Sequence, residues 1–230
     1  DLIENFEIKD KKLQFFIDNL YLKTAVSFNL DNNEINYYFQ NLETSNNWQY
    51  LELAMIVSMH LYSQNDNKKA LTFLEDCCSD LLESSTDPIH LFKYGILLER
   101  NSFIKKSEII IQKSIDISSG SYPYILNYLA YLWVDNNRNL DTAEEMLIQA
   151  VEDSNYQDGA ILDSLGWLYF KKNQIDLAKK WILQAYYMEP SEPEIIDHLS
   201  QIYLKLDRKK EASFLDNKIL LFHKDYFRYD

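Results

Sequence analysis

Apolar residues return along this chain at the intervals of a helix face, and the whole pattern returns every 34 to 37 residues. It is clearest from Gly159 to Pro190. There Leu162, Leu165, Gly166 and Tyr169 share one side of a helix, the polar turn Lys171-Lys172-Asn173-Gln174 follows, and Ala178, Ile182 and Ala185 recur at helical steps. The spacing predicts two antiparallel helices. Gly166 and Ala178 belong at their crossing, where a larger side chain would hold the backbones apart, and Pro190 ends the second helix.

The same phase recurs downstream as Leu199, Ser200, Tyr203 and Ala212, with Asp216 at a position that is otherwise apolar, as expected of a final, water-facing unit. Upstream it recurs as Leu129, Ala130 and Trp133 with Ala143, Leu147 and Ala150. That unit lies 36 residues before Leu165, so two extra residues must sit in loops, one of them within 135–139. Earlier units use Tyr94, Gly95 and Leu98 with Ser107, Ile111 and Ser114, then Val57, Ser58 and Leu61 with Ala70, Leu74 and Cys77. About five helix pairs therefore span 48–221, best formed from 122 to 215. Pro88, Pro123 and Pro193 stand where first helices begin, a position at which the missing amide hydrogen costs nothing.

Residues 1–47 lack the repeat. Leu13, Phe16, Ile17, Leu20, Ala25 and Val26 suggest one helix with an apolar stripe, Asp31-Asn32-Asn33 breaks it, and Ile35 to Leu42 suggests another. This segment reads as a degenerate first repeat or an N-terminal cap. The tail 222–230, with Tyr226, Phe227 and Tyr229, either folds back as a lid or stays free.

Composition narrows the class. Four Gly and four Pro in 230 residues leave few sites for the turns of sheets, and 47% hydrophobic residues suffice for a continuous core, so the chain reads as all-α. A net charge of -13 repels phosphate backbones and anionic membranes, which argues against nucleic acid as a partner. The longest apolar stretch, Tyr122 to Val134, contains Asn127 and is shorter than the 18 or more residues of a membrane helix. No direct membrane insertion of these residues is expected.

The intervals of Leu165-Gly166, Tyr169, Ala178, Ile182, Ala185 and Pro190 resemble the tetratricopeptide repeat (TPR). The resemblance implies an α-solenoid, a right-handed superhelix of antiparallel helix pairs with a long concave groove and no single enclosed pocket. More narrowly, Ile161 to Trp167, with Asn127 to Tyr131 before it and Ile196 to Leu199 after it, is similar to the C-terminal repeats of bacterial exported TPR lipoproteins. That group is anchored at the outer membrane, faces the periplasm and serves as adaptors, which implies the same address here; no lipid-attachment Cys stands near Asp1, and without the resemblance the address would read as cytoplasmic.

In TPR proteins the groove is lined two positions before and two after the Leu of Leu-Gly. Carried onto this chain, these are Met55 and Met59, Phe92 and Ile96, Asn127 and Tyr131, Asp163 and Trp167, and Asp197 and Gln201. The wall is oily at its centre and acidic toward the end. None of these pairs is the Lys with Asn that grips a C-terminal carboxylate. Tyr124, Tyr128, Tyr131, Trp167 and Phe170 are large enough that, left open, they would need a cover. Three readings stay open for them: ordinary core, a wall against a partner's apolar segment, or a wall against the chain itself or a second copy. If they are wall, Trp167→Ala or Tyr131→Ala leaves the thermal midpoint nearly unchanged.

Catalysis finds little support. His60, His90, His198 and His223 are scattered without metal-site spacing, Asp197-His198 has no nucleophile elbow, and the four glycines are isolated, so no metal, cofactor or nucleotide is expected. Cys77 reads as a core thiol, with Cys78 turned elsewhere. The chain reads as a scaffold, not an enzyme. Its groove would hold a protein or peptide with an apolar segment and a basic flank, the flank selected by Asp163, Asp197 and Glu194. The alternative is an assembly protein whose groove is filled by its own N-terminal segment or by a homodimer.

Overall fold

The computed structural model describes residues 11–27, 47–223 and 226, which hold eleven α-helices and no strand. They divide into two compact units between Ile117 and Ser118. The first unit contains α1 (Lys11–Ser27), α2 (Asn47–Ser63), α3 (Asn67–Ser84), α4 (Pro88–Arg100) and all but the last residue of α5 (Ile104–Ser118). The second contains α6 (Pro123–Asp135), α7 (Leu140–Asp153), α8 (Gly159–Lys171), α9 (Ile175–Met188), α10 (Pro193–Lys205) and α11 (Lys209–Phe222). Ile35 to Leu42, its preceding break and most of the tail lie outside the described residues.

Each helix pair closes on the same device. The second residue of the turn, Asn65, Ser102, Asn137, Asn173 or Asp207, has a left-handed backbone, with φ from 51° to 67°. Its amide bonds back to Tyr62, Glu99, Val134, Phe170 or Leu204, and the next amide bonds to Leu61, Leu98, Trp133, Tyr169 or Tyr203, at 2.8 to 3.1 Å. This is the Schellman end, and asparagine suits it because its short polar side chain tolerates the left-handed region. The first extra residue of the 36-residue spacing sits in the turn 136–139, against three turn residues in the other pairs. The second sits in the loop 154–158, one residue longer than 189–192.

At every crossing the facing pair is small and buried: Ser58 with Ala70, Gly95 with Ser107, Ala130 with Ala143, Gly166 with Ala178, and Ser200 with Ala212. Where serine stands, it adds a bond across the pair, Ser58 Oγ donating to the Ala70 carbonyl at 2.8 Å and Ser107 Oγ to that of Gly95 at 2.7 Å. A Cβ on Gly166 would lie 3.0 Å from the Ile182 nitrogen and 3.2 Å from the Ala178 carbonyl oxygen, so only glycine permits this approach.

Three expectations need correction. The stripe on α1 is displaced: Leu13, Phe16 and Leu20 are exposed, whereas Leu22 is fully buried and Phe15 and Tyr21 rest on the first-unit core. In α3 the backbone leaves helical geometry at Cys78 (φ −139°), which rotates Cys78 into the core and leaves Cys77 half-buried. The last pair is not a plain water-facing cap. Asp216 accepts a hydrogen bond from Ser200 Oγ at 2.5 Å, while Phe214, Leu220, Leu221 and Phe222 are exposed. No helix among the described residues is long and apolar enough to cross a membrane.

Candidate functional site in the second unit

The first helices α6, α8 and α10 lie side by side in the second unit, α8 between the other two. Tyr131 on α6 reaches past α8 and donates its hydroxyl to Glu194 at the start of α10. Burial, together with the Glu194 carboxylate, pushes the Tyr131 phenol well above its ordinary range, so it stays a donor.

Beside this bridge is a cavity of about 200 Å³. Asn127, Tyr128 and Tyr131 form its α6 wall, and Asp163 and Ser164 its α8 wall. Glu189, Glu192 and Glu194 close the third side from the loop 189–192 and α10. Glu189 can stand there because Gly159 has no side chain: a Cβ at Gly159 would lie 2.8 Å from the Glu189 carboxyl carbon. Asp158 caps α8 by accepting from the Ile161 amide at 3.1 Å, which fixes the turn that presents Asp163.

Behind the cavity is a packed aromatic and ionic stack. The Asp163 Oδ2 engages His198 Nδ1 at 2.7 Å, and both side chains are about 95% buried. Trp167 lies against the His198 ring at 4.0 Å and 12°, and against Phe170 at 4.8 Å and 6°. Lys171 sets its ammonium 4.9 Å from the Trp167 ring centre. Burial alone would push the His198 imidazole down, but the charge and hydrogen bond of Asp163, with Glu194 and Asp197 nearby, carry it above its usual value. Asp197 accepts from Gln201 Nε2 at 2.9 Å.

The cavity brings together Asn127, Tyr128, Tyr131 and Asp163 from the residues singled out in the sequence. Tyr124 is exposed, its ring against Tyr122 at 5.7 Å and outside the cavity. Trp167 and Asp197 are buried, at 5% exposure each, and Phe170 is half-buried beside Trp167. In the first unit Met55 lies inside the core, Phe92 is buried, and Met59 and Ile96 are half-buried. The reading of Trp167 as an open wall, with its unchanged thermal midpoint, is therefore replaced: the rings of His198 on α10 and of Phe170 lie against Trp167, and its side chain is buried. Glu189 and Glu192 were missed, although the Pro-punctuated acidic run Glu189-Pro190-Ser191-Glu192-Pro193-Glu194 is visible in the sequence.

The tetratricopeptide repeat family matches residues 160–192, which is the α8–α9 pair. No curated protein matches the chain in sequence. Several solved structures share its fold. PilW, a widely conserved type IV pilus biogenesis factor, superposes with a TM-score of 0.65 at 13% identity, over 78% of this chain and 80% of its own. A thermophilic TPR protein of Thermus thermophilus gives 0.63 at 20% identity, over 76% of this chain and 92% of its own. YrrB, a TPR protein with an unusual peptide-binding site, gives 0.53 at 16% identity, over 76% and 87%.

Proposed function

We propose that this tetratricopeptide-repeat protein is a non-enzymatic scaffold that holds a segment of another protein on the face made by α6, α8 and α10. The observation that carries this reading is the acidic, aromatic-walled cavity opening on that face. An apolar stretch of the segment would rest on the half-buried Tyr128 and the exposed Tyr124, and a basic flank would meet Glu189, Glu192 and Glu194. Similarity of fold to YrrB, whose known feature is a peptide-binding site, supports the class of function.

The test is selection of a random peptide display library on the purified chain, repeated on a Tyr124→Ser/Tyr128→Ser double variant. Peptides joining apolar residues to Lys or Arg should be enriched, should bind the double variant less, and should be released as salt rises. Enrichment of nothing, or of acidic peptides, overturns the reading. A chain that captures only a second copy of itself points instead to the assembly alternative.

A further inference from the structure

We infer that the second-unit cavity is a receptor for a single arginine side chain of the bound segment, an inference that rests on the scaffold reading above. Size excludes a larger guest. About 200 Å³ accommodates one side chain and falls below the roughly 300 to 1,000 Å³ of pockets that enclose a drug-sized ligand.

The polar groups of the cavity select the guest's chemistry. Two of its hydroxyl donors are already committed: that of Tyr131 to Glu194, and that of Ser164 to the Ala160 carbonyl at 2.9 Å. Its unsatisfied atoms are acceptors. Asp163 is 4% exposed, and with Oδ2 held by His198 its Oδ1 is buried without a hydrogen-bond partner. On the opposite wall Asn127 Oδ1 is likewise buried and unpaired. Each such atom costs free energy until a donor arrives.

Charge points the same way. Asp163, Glu189, Glu192 and Glu194 border the cavity, and no described Lys or Arg lines it. A charged His198 offsets only one of these four carboxylates. The guest must therefore bring positive charge and several N–H groups that point in different directions, into a site walled by Tyr128 and Tyr131. A guanidinium meets that description better than an ammonium: it carries five donors in a flat fork, stacks on aromatic rings and is more weakly hydrated.

The experiment is a titration of the full 230-residue chain with N-acetyl-arginine amide, N-acetyl-lysine amide and N-acetyl-citrulline amide, followed by NMR. The readouts are the Asn127 side-chain amide and the Trp167 indole. Citrulline keeps the shape of arginine and removes the charge. Saturable shifts with arginine, weaker ones with lysine and none with citrulline are expected. Glu192→Lys, which places an ammonium at the mouth, should weaken arginine binding about tenfold, whereas Glu152→Lys, the same charge change at an exposed site on α7, should weaken it much less. Equal shifts with citrulline, equal losses in both variants, or no arginine shifts overturn the inference. Peptides from the display selection separate the two claims. If Glu192→Lys leaves their binding intact while the tyrosine double variant abolishes it, the arginine pocket falls and the scaffold stands; if no peptide binds at all, both fall.

Discussion

Each unit carries a tryptophan, a carboxylate four residues away on the same helix, and a histidine on the next first helix that engages the carboxylate. In the first unit these are Trp48, Glu52 and His90, with Glu52 Oε2 and His90 Nε2 at 2.6 Å. In the second they are Trp167, Asp163 and His198. The order along the helix is reversed, and that decides the outcome. Trp48 sits in the first turn of α2, where it is 54% exposed and meets His90 only obliquely at 6.5 Å. Trp167 sits in the body of α8, flanked by neighbouring helices, and stacks flat on His198. The same three groups thus bury the histidine in both units but leave the indole half-exposed in one and sealed in the other, because position relative to the helix end sets burial of the indole.

The largest test of this contrast is truncation of both indoles. Trp167→Ala should lower the unfolding free energy by about 3–5 kcal/mol, the usual cost of emptying a buried tryptophan site. Trp48→Ala should cost about 1 kcal/mol, since half of its surface is already wet. Urea unfolding measures both. Equal losses would mean that burial of Trp167 does not distinguish the units.

A smaller effect compares the two crossing glycines. Alanine gains about 1 kcal/mol of helix propensity over glycine, and overpacking costs about 1–3 kcal/mol. At Gly166 a new methyl would press on backbone atoms of Ile182 and Ala178, which cannot turn aside, so Gly166→Ala should be a net loss of about 1–2 kcal/mol. At Gly95 the nearby atoms all belong to the Ile111 side chain, its Cγ1 at 2.4 Å, with no backbone atom among them; that buried β-branched residue must shift, so Gly95→Ala should also be a net loss, but a smaller one of under about 1 kcal/mol. A Gly95→Ala loss as large as that of Gly166→Ala would show the first-unit crossing to be as tight as the second.

These crossings were legible in the sequence because a pair of small residues at fixed positions determines each. The turn 171–174 was legible too, and its left-handed Asn173 has counterparts in Asn65, Ser102, Asn137 and Asp207 at the same spacing as the helices, since each hairpin needs one left-handed residue. The cavity was not. It depends on Glu189 in a loop reaching the start of α8, and on Asp163 meeting a histidine 35 residues away, contacts that no local periodicity encodes. The rotation at Cys78 was hidden for a related reason, because a break in helical phase reassigns which of two adjacent cysteines faces inward.

The smallest effect concerns pH, where the units should respond in opposite directions. In the second unit the folded state holds the His198 proton more tightly than the unfolded chain does, through Asp163, Glu194 and Asp197, against the cost of burial. Its contribution is fully present below the unfolded value of about 6.5 and disappears as pH rises through the raised folded value. In the first unit burial lowers the His60 value, and its ring Nε2 has no hydrogen-bond partner. Its contribution is fully present above about 6.5 and is lost as pH falls through the lowered folded value. Neither slope can exceed about 1.4 kcal/mol per pH unit, the limit for one proton. Stability profiles of His198→Gln and His60→Gln, each subtracted from the wild type between pH 5 and 8, should therefore tilt in opposite senses. Parallel tilts would mean that the Asp163 carboxylate does not outweigh burial at His198, and that the closed stack of the second unit behaves electrostatically like the first-unit core.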